Sequence, residues 1–311
     1  MSRLENGRWV FKKLLPDPGE GPFERQTQAF RGTIEKGGEF PPEVGRYHLY
    51  VCYACPWASR ALIFRKLKNL ENVIGLSVTS PDMLENGWTF EPNFPGVTPD
   101  GARGKRFLYE IYQEADPAFT GEVTVPVLFD TKTGKIVNNE SSEIIRIFNG
   151  AFDELTRDKE DFYPRELRAE IDAVNDDVYP NLNNGVYAAG FAGRQEDHDR
   201  NVRNVFSCLE RLEARLEGQA YLVGGRLTEA DVRLFTTLVR FDPVYYVHFK
   251  CNQRLLREYP NLRRHLATLY RIPAFRETTH FDHIKRHYYY SHEQLNPRRL
   301  IPTGPYPYVQ E

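Results

Sequence analysis

The chain has 311 residues, enough for two domains with cores of their own, and a formal net charge of −2 with the two signs intermixed. That balance points away from a nucleic-acid or membrane partner, and no run approaches the roughly 20 apolar residues of a membrane helix. Four cysteines make no disulfide framework at this length, and the opening MSRLENGRWVFKK has neither an apolar core nor a cleavage pattern, so a cytoplasmic, reducing setting is expected.

Residues 1–46 are rich in Gly, Pro and charge, and read as an extended arm with at most one short helix around Glu24–Phe30. The stretch Tyr47–Lys66 follows. Its front, His48–Cys52, is an apolar, β-branched and aromatic run typical of a buried strand; its back, from Trp57 to Leu67, has helical spacing and no breaker. Between them stands Cys55-Pro56. Proline suits the first helical position, so Cys55 falls just before the first turn, where free N–H groups and the positive helix end favour thiolate over thiol. A cysteine in an apolar run can also be a small buried hydrophobe; the strand–Cys–Pro–helix order is what favours a nucleophile. Cys52 completes a nominal C-x-x-C, but dithiol motifs put the nucleophile first and the resolving Cys inside the helix. The order here predicts a monothiol mechanism.

Val73–Thr79 is a second strand, and residues 80–107 form a long connection that holds Gly87-Trp88; connections of that length in compact domains usually serve function. A short helix is expected around Phe107–Glu114. Thr124–Phe129, the turn Asp130–Gly134 and Lys135–Val137 read as a hairpin, with Pro126 confined to an edge or a strand start. Asn138–Phe148 opens a helix at whose start Glu140 and Ser141 can grip a small charged ligand or merely cap. The order β-α-β, connection, β-β-α is a mixed α/β layer of thioredoxin type.

From about residue 165 the pattern is helical: Arg165–Asn184, Glu196–Glu217, a capping box at Thr228-Glu-Ala-Asp231 opening a helix to Val239, Pro260–Arg271 and Ala274–Thr279. Cys208 and Cys251 read as buried helix cysteines. The tail from Phe281 is aromatic and Pro-rich, and reads as extended. The expected plan is an arm (1–46), a thioredoxin-like domain (47–152), an all-helical domain (160–280) and a C-terminal extension (281–311). Cys52, Cys55, His248 and Cys251 match no standard zinc spacing, so no metal is expected.

The sequence resembles a glutathione transferase, and more narrowly the Xi class, the glutathionyl-hydroquinone reductases. Cys55-Pro-Trp-Ala58, Gly87-Trp88-Thr-Phe90, Thr124–Leu128, Asn138–Arg146, Asn184–Tyr187, Leu227–Asp231, Val239–Tyr245, His248–Cys251 and Phe281–Ile284 with Tyr288 carry the likeness. The resemblance implies Cys55 as nucleophile. It implies glutathione, as co-substrate, held by Trp88, by the backbone of Val125 before a cis Pro126, and by Glu140 and Ser141 at its γ-glutamyl end. Tyr187, Tyr245 and Tyr288 would line the pocket for the aromatic half, and a homodimer is implied. Ser59 departs from the family's usual His and Glu122 from its common basic residue. The activity implied is removal of glutathione from glutathionyl-hydroquinones through a Cys55–glutathione mixed disulfide. The alternatives are a broader omega-like thiol transferase, reducing dehydroascorbate or mixed disulfides, and a non-enzymatic protein that kept the fold.

Overall fold

The computed structural model describes residues 2–13, 15, 23, 25–306 and 309. Its chain forms two compact units. The first takes in the described parts of 1–14, 26–160 and 278–291, the second those of 15–25, 161–277 and 292–311.

The apolar runs of the first unit become a four-stranded sheet. Its strands are β3 (Tyr47–Val51), β4 (Ile74–Val78), β6 (Val127–Asp130) and β7 (Lys135–Asn138), after β1 (Arg3–Glu5) and β2 (Arg8–Val10) and with β5 (Gly121–Glu122) between. The order is β4-β3-β6-β7, with β3 parallel to β4 and antiparallel to β6. All residues of β3 and β6 are buried, as befits the two inner strands. Strand β6 starts at Val127, directly after Pro126, which has no N–H to give the ladder. The parallel crossover is α1 (Pro56–Leu67), followed by α2 (Leu108–Ala115), α3 (Ser141–Gly150) and the short α4 (Asp153–Thr156); α1 packs against α3. This is a thioredoxin-like layer.

The arm is not wholly extended. Strand β1 pairs antiparallel with β2 and with β5, making a second, three-stranded sheet. Asn6-Gly7, both at positive φ (48° and 73°), turns the hairpin. Trp9 then stacks on Tyr109 with ring centroids 4.8 Å apart and donates its indole N–H to the Glu85 carbonyl at 3.0 Å. The helix expected around Glu24–Phe30 does not form over residues 25–30, and Glu24 lies outside the described residues.

The second unit is helical: α5 (Arg168–Val178), α6 (Gly185–Gly190), α7 (Gln195–Arg215), α8 (Glu229–Arg240), α9 (Pro260–Tyr270) and α10 (Pro273–Arg276). Its central member is α8, in which every residue is buried. The capping box forms there: the Asp231 carboxylate accepts from the Thr228 backbone N–H at 2.9 Å. π-Helical turns run through Tyr179–Asn183 and Phe241–Tyr246. Cys208 lies buried in α7. Cys251 is buried too, but in a non-helical stretch beyond the second π-turn, directly after Lys250 at φ 58°.

The chain then returns to the first unit. The tail expected to be extended from Phe281 folds as α11 (Phe281–Arg286) and a π-helical turn, His287–Ser291. No Pro or Gly stands between Phe281 and Ser291; the first breaker is Pro297.

Candidate active site

Helix α1 starts where its proline allows. Cys55 is its N-cap, in extended backbone at φ −74° and ψ 122°, and Pro56 is the first helical residue. The Cys55 side chain is 9% exposed, and its thiol donates to the Val125 carbonyl at 3.5 Å. The Val125–Pro126 peptide bond is cis. Thus the sulfur lies at the positive end of α1 beside one backbone edge that is free of the sheet ladder. The Ser59 hydroxyl donates to the Cys55 carbonyl at 3.0 Å, one helical turn back.

The other cysteines lie deeper. Cys52 is fully buried, its thiol directed at the Ser80 carbonyl at 3.8 Å, and burial pushes its pKa up to about 12. Burial does the same to Cys208 and Cys251.

Helix α3 supplies a second N-terminus. Glu140 is its N-cap, accepting from the Ser142 N–H at 3.0 Å and the Ser142 hydroxyl at 2.9 Å, so its carboxylate does cap the helix. Ser141 is buried, and its hydroxyl accepts from Arg60 at 3.4 Å. Arg60 is a residue that sequence reasoning missed. It is 1% exposed, on the apolar side of α1, with its guanidinium 4.6 Å from the Trp57 ring centre. An arginine among Ala58, Ala61, Leu62 and Ile63 was the signal, but its partner across the layer could not be read from the chain.

Trp88 sits in the long connection, pinned on both sides: Ser80 N–H donates to the Thr89 carbonyl at 2.8 Å and Leu108 N–H to the Trp88 carbonyl at 2.9 Å. Gly87 precedes it at φ 65°, where a Cβ would lie 2.8 Å from the Trp9 ring. The Trp88 ring is buried and stacks on His287, centroids 5.0 Å apart and planes 24° from parallel; His287 in turn meets Tyr288 edge-on at 5.3 Å. His287 is a second residue that sequence reasoning missed.

The three expected tyrosines divide between the units. Tyr288, 1% exposed, belongs to the first with Cys55, Trp88, Val125, Glu140 and Ser141. Tyr187 on α6 and Tyr245 in the π-turn belong to the second, where their rings meet edge-on at 5.9 Å. Phe249 stacks on Tyr245 at 5.4 Å, and the Arg25 guanidinium lies 5.1 Å from the Tyr187 ring centre. Among the described residues no group of three or more His, Cys, Asp or Glu could hold a metal ion, and no helix is long and apolar enough to cross a membrane.

A profile of the glutathione S-transferase N-terminal domain matches residues 54–151, and one of the C-terminal domain matches residues 195–268. Glutathionyl-hydroquinone reductase YqjG of Escherichia coli K12 is 50% identical, the likeness spanning 100% of this chain and 97% of that protein. The chain belongs to the glutathione transferase family. Among solved structures, the transferase matches the glutathione-S-transferase Xi from Phanerochaete chrysosporium at 53% identity and a TM-score of 0.90, covering 92% of this chain and 99% of that one. It matches the glutathione-bound structure of the E. coli K-12 homologue YqjG at 48% identity and a TM-score of 0.92, covering 99% and 97%. The transferase is therefore of the Xi class, with a thioredoxin-like domain followed by an all-helical one.

Proposed function

We propose that this transferase is a glutathionyl-hydroquinone reductase with Cys55 as its nucleophile. One observation carries the reading: in a chain half identical to such a reductase over its whole length, the one cysteine at a helix N-cap has its sulfur 3.5 Å from the carbonyl before a cis proline.

In the first half-reaction the Cys55 thiolate attacks the glutathione sulfur of the adduct. The S–S bond of a mixed disulfide forms as the sulfur–ring bond breaks, and the electron pair leaves with the ring carbon, which takes a proton from a pocket tyrosine. In the second, a glutathione thiolate attacks the mixed disulfide, forming oxidised glutathione and returning Cys55 as thiolate. The adduct's sulfur is thereby oxidised and its ring reduced to the free hydroquinone. The glutathione half is assigned to Trp88, to the Val125 backbone, and to Glu140 and Ser141 at the start of α3, where the positive end of the helix dipole suits the γ-glutamyl carboxylate. The aromatic half is assigned to Tyr187, Tyr245 and Tyr288, whose rings give flat apolar area and whose hydroxyls can donate. The four free thiols fit a reducing, cytoplasmic setting, and a homodimer is the expected assembly.

The test is single turnover of glutathionyl-menadiol by the parent and by Cys55→Ser, with intact-mass detection of one bound glutathione. The parent is expected to turn over and to carry the adduct, and the variant to do neither. A parent that takes glutathione from a simple disulfide yet ignores the aromatic adduct would be a general thiol transferase.

A further inference from the structure

We propose that residues 278–291 form a strap that sets the glutathione-side Trp88 and the ring-side Tyr288 together, with His287 as the positioning residue between them. The inference rests on the roles assigned above to Trp88 and Tyr288 and goes beyond them.

The strap is fastened to the connection that carries Trp88 at four places. Arg286 forks onto Asp82, Nε to Oδ1 at 2.7 Å and Nη2 to Oδ2 at 2.9 Å. His287 Nδ1 meets the Pro81 carbonyl at 2.9 Å. Ser291 donates its hydroxyl to that same carbonyl at 3.0 Å and accepts the Met83 N–H at 3.0 Å. His283 Nε2 meets the Pro95 carbonyl at 2.6 Å. Carbonyls only accept, so both imidazoles donate, and the His287 ring is fixed in tilt by a proton on Nδ1. The Arg286 guanidinium is held from the other side by the Tyr290 ring, 3.4 Å from its centre.

Fixing that ring matters because of what lies on it. One face of His287 carries Trp88 and its edge carries Tyr288. A rotation of the imidazole would move both neighbours at once. The two halves of the substrate therefore share one support, and an error there weakens both rather than one. His287 acts through the two rings it supports, Trp88 and Tyr288, so its part is positioning.

Two variants separate the ring from the hydrogen bond. His287→Asn keeps an N–H at the δ position for Pro81 and removes the ring; His287→Phe keeps the ring and removes the donor. Each is measured for glutathione affinity by calorimetry, for KM and kcat with glutathionyl-menadiol, for Cys55 alkylation rate and for Tm. The Asn variant is expected to weaken glutathione binding and raise KM for the adduct by about tenfold each, the worth of a good aromatic contact. Its alkylation rate should stay near the parent's, and the Phe variant should recover most of both affinities. An Asn variant in which either ligand binds as in the parent, or a Phe variant that recovers neither, overturns the strap. Should the parent not turn over the adduct at all, the reductase reading falls by itself; the strap is then decided by glutathione affinity and by the shift of Trp88 emission in the Asn variant.

Discussion

Cys52 and Cys55 are three residues apart, and differ in depth and in what precedes a helix. Cys52 points back into the end of β3 against Ser80, and burial holds its pKa at about 12, so near neutral pH it stays a thiol. Iodoacetamide near neutral pH is accordingly expected to add one carboxamidomethyl group to the folded protein, at Cys55, and none to Cys55→Ser; peptide mapping checks the site. Denaturant should then release the other three thiols. Labelling of folded Cys52 would remove the case for a single-thiol mechanism. Cys55 was legible because Cys-Pro before a helical run fixes its place by local rules alone. Arg60 and His287 were not, since their meaning lies in Ser141 and in Trp88, residues 81 and about 200 positions away along the chain. Glu122 gains a local reason only in three dimensions: the register sets Arg3 of β1 opposite it.

Among the elements, β3 combines the core with a buried polar network. His48 Nε2 lies 2.7 Å from the Ser77 hydroxyl on β4, and Ser77 accepts the Gly101 N–H at 3.0 Å. Asp100 beside it accepts from the Tyr50 hydroxyl and from the N–H groups of Ala102, Arg103 and Lys105, which ties the long connection to the sheet. Burial lowers the His48 pKa to about 4, from an ordinary value near 6.5. Below that ordinary value the unfolded chain binds a proton that the folded chain refuses. Stability is thus full above about pH 6.5, falls as the pH drops, and levels off near pH 4, a loss of about 3 kcal/mol for one such group. Burial lowers His265 and His283 in the same sense. His48→Gln, whose amide can reach Ser77, is expected to flatten the curve of unfolding free energy against pH between 6.5 and 4 by about 1.4 kcal/mol per pH unit; denaturant melts at a series of pH values measure it. Parallel curves for parent and variant would rule His48 out. The strands and helices with a full period could be read from the sequence, including β3, α1, β4, the β6–β7 hairpin and α8. Strands β1 and β2, at three residues each, are too short to show a period, and only the Asn6-Gly7 turn marked them. Helix α11 was obscured by the prolines that follow it.

At the scale of the whole molecule, neither unit is one continuous stretch of chain. The first is closed by residues 278–291, and the Arg286–Asp82 pair spans 204 residues. The α/β layer and the helical run could be told apart in the sequence because their periods differ. The return of the chain to the first unit could not, because it depends on which surfaces meet. A chain ending at Glu277 is expected to keep most of its helical circular dichroism, since α1–α10 all precede that point. It should also bind glutathione more weakly than either His287 variant, by calorimetry. Affinity equal to the parent's would show that Trp88 needs no support from the tail.

The same return has a consequence for biosynthesis. Translation delivers the nucleophile's sheet about 200 residues before the segment that completes its unit. Domains generally fold in the order in which they emerge, and contacts between distant parts of a chain form slowly. A nascent chain would therefore hold Cys55 without Arg286, His287 and Tyr288 until that segment emerges, and a ribosome that stops before it would release a protein with its thiol but without its strap. Synthesis past Ser291 thus becomes a condition for a finished site.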